Sequence, residues 1–140
     1  MATAQWAARG SVTTLSISTT LNSLANGAES DLVEYDNGTA LDLYAIVTVA
    51  LGSFTPGSSP SVGIRHYYAG GSAGTTQPDK SGDGDLYVRA ITTGAGAKTT
   101  TFRVQLVPGK NYFSVVNLTN AAFASSGHNV YVQPFNESVA

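Results

Sequence analysis

Apolar residues in this chain recur at every second position, in short runs that end at Gly, Pro, Asn, Asp or Ser. That is the periodicity of strands with one buried face. The run "TTLSIS" sets Leu15 and Ile17 on one face against Thr14, Ser16 and Ser18. In "LDLYAIVTVAL", the longest run, the odd positions Leu41, Leu43, Ala45, Val47, Val49 and Leu51 are all apolar, while Asp42, Tyr44 and Thr48 mark the other face. "TFRVQLV" places Phe102, Val104 and Leu106 opposite Arg103 and Gln105, and "NVYVQPF" turns Val130 and Val132 inward. Further strands are expected at "LVEYD", "SVGIRHYY", "LYVRAIT" and "NYFSVVNL". The last is apolar on both faces (Tyr112, Val116 and Leu118 against Phe113 and Val115), the mark of a strand central in a sandwich or covered by a partner.

No long segment carries a 3.6-residue period with caps, and only short helical turns are expected, near "TAQWAA" or "TNAAFAS". The connections have turn chemistry: "DNGT" at Asp36 to Thr39 is a hairpin signal, and "TPGSSP" and "VPGKN" are proline-glycine turns. "AGGSAGTTQPDKSGDGD", residues 69–85, is the one long loop, and "TTGAGAKTT" reads as a flexible tip. These elements predict an all-β chain: an antiparallel β-sandwich of about eight strands, with a jelly roll favoured over an immunoglobulin-like topology. Residues 1–140 are read as a single domain with a short N-terminal arm over about residues 1–10.

Composition narrows the function classes. Only 11% of the residues are Asp, Glu, Lys or Arg, and polarity comes instead from Thr, Ser, Asn and Gly. Such a surface suits a protein that buries much of itself against partners. The net charge is -2 with Lys and Arg scattered singly, which argues against nucleic acid as a partner. No apolar run approaches the roughly 18 residues of a membrane span. Cysteine is absent, which removes disulfides and thiolate sites. "MATAQWAARG" lacks the apolar core of a secretory signal, so a cytoplasmic origin is expected.

The densest chemistry lies in "PDKSGDGDLYV". Counted from Asp79, the residues Ser81, Asp83, Gly84 and Asp85 fit positions 3, 5, 6 and 7 of a calcium loop, but position 12 is Ala90 rather than a bidentate Glu. The plainer reading is a glycine-spaced, soluble turn, and no metal ligand is assigned. His66 and His128 lack the His-x-His pairing of a cupin-type centre and read as polar residues at strand rims. Nucleophilic elbows are missing, and "GGSAG" and "GAGAK" lack the context of a phosphate loop. Glu29, Glu34 and Glu137 are a small supply for paired-carboxylate hydrolysis. An enzyme is not expected, nor is a cofactor. Three sequons, at Asn37, Asn117 and Asn136, are read as accidents of composition. Aromatics offer a binding alternative: Trp6 lies before the first strand, and alternation requires one of Tyr67 and Tyr68 to point outward, where either could stack on a sugar or anchor an interface.

A small, cysteine-free, Thr/Ser/Gly-rich sandwich of this kind resembles the capsid cement (decoration) proteins of tailed bacteriophages, in particular the jelly-roll cement proteins of podoviruses. The resemblance runs over the whole chain and is carried by "MATAQWAARGSVTTLSIS", "LDLYAIVTVALGSFTPG" and "NVYVQPFNESVA". It implies a jelly roll on the outer surface of an HK97-like virion, assembled in the bacterial host cytoplasm, that joins neighbouring major capsid protein subunits. It also implies a homodimer. The alternative from another class is a lectin-like carbohydrate-binding module.

Overall fold

The computed structural model describes residues 4–69, 77–78, 80 and 84–139. In chain order the elements are β1 (Ala4–Trp6), β2 (Thr13–Leu15), α1 (Ser18–Leu21), β3 (Val33–Asp36), β4 (Tyr44–Phe54), β5 (Ser61–Tyr68), β6 (Asp85–Ala90), β7 (Gly96–Gln105), β8 (Lys110–Leu118), β9 (Asn129–Phe135) and β10 (Glu137–Val139). Eight of the strands form two antiparallel sheets, ordered β2-β9-β4-β7 and β3-β8-β5-β6. From β2 to β9 the chain changes sheet at every connection except β5–β6. This is the nested order of a jelly roll, as the hydrophobic pattern predicted. The arm is tied down, because β1 pairs with β10 in a separate two-stranded ribbon.

Alternation builds the core. Val47 and Val49 of β4, Phe102 and Val104 of β7, and Val130 and Val132 of β9 face Val62 and Ile64 of β5 and Phe113 and Val115 of β8. Each such side chain contributes about 1.5–3 kcal/mol on burial. Strand β8 lies between β3 and β5, and its second face is buried as well: Tyr112, Ser114 and Val116 are inaccessible. Beside that row Tyr67 and Arg65 meet Glu29, and Lys80 of the β5–β6 loop reaches the carbonyls of Glu29 and Ser30. The chain itself thus supplies the cover that the two-faced pattern demanded.

Several expectations change. Strand β4 starts at Tyr44, so Leu41 and Leu43 precede it and are exposed rather than inward. "DNGT" makes no hairpin, because β3 and β4 belong to different sheets. Asp36 Oδ1 instead accepts from the Gly38 N–H at 2.8 Å, a local Asx turn. Helix appears at neither expected place: "TAQWAA" holds β1, and the only helical turn among the described residues, α1, buries Leu21 in the core. Most of "TTGAGAKTT" is strand, since β7 begins at Gly96. Gly52 is required by contact, because a β-carbon there would overlap the Ser126 carbonyl of the β8–β9 connection.

Candidate functional site

The two histidines are buried, which corrects their placement at strand rims. His66 lies on the core-facing row of β5, stacked on Phe113 at 4.8 Å between ring centroids, with Nε2 at 2.8 Å from Asn111 Oδ1. Its Nδ1 has no hydrogen-bond partner among the described residues. Burial pushes the imidazole pKa below its ordinary value, against the Asn111 hydrogen bond and the Asp85 charge, which raise it. His128 pins the β8–β9 connection: Nδ1 accepts from the Gly52 N–H and Nε2 lies 2.8 Å from the Ala124 carbonyl. Neither meets a second histidine, and no group of three His, Cys, Asp or Glu side chains converges among the described residues.

In the acidic loop, Asp79, Ser81 and Asp83 lie outside the described residues. Asp85 opens β6, opposite His66, and its carboxylate accepts from the Tyr68 hydroxyl. That hydrogen bond, with burial and the same negative charge, pushes the Tyr68 phenol up to about 12.

Alternation does separate Tyr67 from Tyr68, but burial follows cover rather than face. Tyr67 points off the sheet's outer side yet is buried, donating to Glu29 at 3.0 Å. Tyr68 continues the core-facing row past the end of the core and is exposed. The sequon asparagines have structural work. Asn37 bridges Asp42 and the Val107 carbonyl, and Asn117 bridges the Leu24 and Ala121 carbonyls and accepts from Thr119. Asn136 joins Leu43 to Asp42. The side chains of Asn37 and Asn117 are buried, so composition alone does not explain them.

Two surface regions stand out. At the arm, Trp6 is 57% exposed although its ring packs edge-on against Tyr44 and Phe135, at 5.9 and 5.3 Å. Sequence reasoning left open whether Trp6 docks on its own sandwich; here it does so with one side of its ring. This aromatic triad borders a hollow of about 330 Å³ lined by Trp6, Ala7, Arg9, Ile46, Arg103 and Phe135.

The second region is the opening between β6 and β7, where both sheets end. Strand β6 carries its pattern inside out: Leu86 and Val88 are exposed on the outer face, while Tyr87 and Arg89 sit on the inner face, paired with Ile64 and Val62. Lys98 occupies a core-facing position of β7 beside Leu51, and is only 8% exposed. Its ammonium donates to Thr92 Oγ1 at 3.0 Å and makes no ion pair among the described residues. Arg89 and Lys98 line a hollow of about 370 Å³, and Arg89 and Arg103 line another of about 530 Å³. Sequence reading saw these cations as scattered singly, at positions 9, 89, 98 and 103. The jelly-roll order, which leaves the β6 and β7 edges on one side, brings them together there, and only the inward parity of Lys98 in "AKTTTFRV" hinted at it.

No family description and no curated protein matches the chain. Among solved structures it is similar to a carbohydrate-binding module from Cellvibrio mixtus lichenase 5A, at 13% identity over 96% of this chain and 90% of that one, with a TM-score of 0.41. It is similar to the exo-β-1,3-galactanase of Phanerochaete chrysosporium at 17% identity and a TM-score of 0.40, covering 94% of this chain but 29% of the galactanase. Murine APRIL superposes over 96% of this chain and 99% of its own, at 9% identity and a TM-score of 0.39. The chain therefore spans less than a third of the galactanase. At these identities and scores the likeness concerns general form, and the jelly-roll assignment stands on the strand order itself.

Proposed function

We propose that the chain is a structural virion protein, a capsid cement (decoration) protein that binds the outside of an HK97-like phage shell and stabilises contacts between major capsid subunits. One observation carries the reading: large apolar side chains are exposed in two separate regions rather than around one cleft. Trp6, Leu41 and Leu43 lie about the arm and the start of β4, and Leu86 and Val88 lie on the outer face of β6 in the other sheet. A protein that joins neighbours needs more than one contact face, each with a desolvated apolar centre. Repetition over a shell then lets individually modest contacts act together. The low charge of the surface lowers the desolvation cost of that burial. Deleting the gene and heating the resulting particles tests the reading. Shells lacking the protein should lose integrity at lower temperature and lower salt than complete virions. Virions that never contained the chain, or shells whose stability is unchanged, would end it.

A second reading, a lectin-like carbohydrate-binding module, draws on the exposed Trp6 ring with Tyr44 and Phe135 beside Arg9 and Arg103. A flat aromatic face with flanking cations suits stacking on a sugar ring. Saturable binding on a glycan array, abolished by Trp6→Ala and retained by Lys110→Gln, would favour this reading over the capsid role.

A further inference from the structure

Of the seven Lys and Arg residues, Arg65, Lys80 and Lys110 are ion-paired, with Glu29, Asp31 and Glu34. The other four line three adjoining hollows that share Arg89 and Arg103 as walls, from Lys98 past the β7 edge to Arg9 and Trp6. Among the described residues no Asp or Glu lines any of the three. From this arrangement we infer that the β6–β7 opening is a docking groove for an extended, acidic polypeptide segment of a partner, which adds as a strand to the unpaired edge of β7.

The occupant is a polypeptide because of the backbone. Among the described residues β7 hydrogen-bonds only β4, and β6 only β5, so each presents an open row of N–H and C=O groups on this side. An added strand satisfies such a row, and its alternate side chains reach the walls. Ten residues long, β7 would be an aggregation hazard if it accepted any strand. Lys98, pointing inward on that edge, makes the acceptance conditional. An apolar strand would bury the ammonium without a counter-ion, and the same edge of a second copy would set a second ammonium beside it. A strand that brings a carboxylate supplies the counter-ion its burial calls for.

Lengths agree. Lys98 and Arg103 are five positions apart on β7, about 17 Å, the reach of five or six extended residues. Thr99 and Thr101 line the hollow around Lys98 beside Ala90, Ile91 and Ala97, so that end of the groove is mainly polar. Trp6 at the far end offers an apolar stop. Four separated cations on a chain of net charge -2 are a poor match for the continuous phosphates of a nucleic acid.

This inference goes beyond the capsid reading and is tested without it. The purified chain, labelled with nitrogen-15, is titrated with the capped peptide Glu-Glu-Thr-Thr-Glu-Glu, which carries carboxylates on both faces of an extended strand because Lys98 points inward and Arg103 outward. The same peptide with glutamine, a heparin-derived hexasaccharide and an oligothymidylate serve as comparisons. Amide shifts should move over residues 87–91 and 97–103 with the acidic peptide and stay still with the glutamine one. Affinity should fall about tenfold with Arg103→Gln, an exposed position that spares the fold, and about as much with Lys98→Met, while Lys110→Gln changes nothing. No shifts, equal binding of the glutamine peptide, or tighter binding of the sulfated sugar or the oligonucleotide would overturn the proposal. Shifts in the groove together with virions that lack the chain would retire the capsid role and keep the groove.

Discussion

On the β3-β8-β5 side of the molecule, Arg65, Lys80 and Lys110 each reach a carboxylate, and the second face of β8 is covered by the chain's own segments. Along the β6–β7 side, Arg9, Arg89, Lys98 and Arg103 reach none among the described residues, and β6 turns Leu86 and Val88 outward. The same fold thus contains a region that satisfies itself and a region that does not. Self-satisfied surface can be altered only at the expense of stability. Unsatisfied surface can be altered at little expense to folding and should matter when something binds. Mutations can therefore tell whether the division is real.

The largest expected effect is on the closed side. Glu29 forms an ion pair with Arg65, whose Nε lies 2.8 Å from its carboxylate, accepts from the Tyr67 hydroxyl at 3.0 Å, and is mostly screened from solvent. Glu29→Ala removes the carboxylate that Arg65 and Tyr67 share and should lower stability by about 2 kcal/mol in urea unfolding. A change below about 0.5 kcal/mol would mean the cover over β8 is loosely held.

Next comes pH. The folded pKa of His66 lies below its ordinary value, so the unfolded chain takes up the proton first. Its stabilising share is complete above about pH 6.5 and is lost as pH falls through the folded value. Urea midpoints should drop between pH 7.5 and 5, and His66→Gln, which can keep the Asn111 contact, should flatten the curve.

Across the molecule the sign reverses. Lys98→Met replaces a buried charge that meets no acid among the described residues with an apolar chain of similar length, and should leave stability unchanged or raise it by up to about 1 kcal/mol. A loss of comparable size would place a hidden partner beside the ammonium. Smallest of all, Arg103→Gln should move the urea midpoint by no more than about 0.5 kcal/mol of stability. A larger loss would class this cation with the closed side.

The sheets were legible because alternation is a local signal: Val47, Phe102 and Val130 each declare their face from their neighbours two positions away. Where the pattern misled, tertiary context had replaced local sequence. Leu41 and Leu43 continue the parity of β4, but the strand has not yet begun, so they are exposed. Tyr67 is buried by Glu29, brought in from a distant segment, a contact that no window around it encodes. The groove was the least legible of all. Arg9, Arg89, Lys98 and Arg103 are isolated along the chain and meet only because jelly-roll order puts the β6 and β7 edges on one side. The calcium-like spacing at Asp79, Ser81 and Asp83 shows the converse, a conspicuous string whose missing twelfth ligand was already readable in the sequence.

The chain is proposed to bind a shell of repeated subunits with its unsatisfied side engaged. Purified protein can be mixed with shells prepared from a virus deleted for the gene, and the bound amount measured after sedimentation. Stoichiometric, saturable binding that is weakened by Arg89→Gln and Arg103→Gln and unaffected by Lys110→Gln is the predicted result. Protein that stays in the supernatant, or that sediments equally well with every variant, would contradict it.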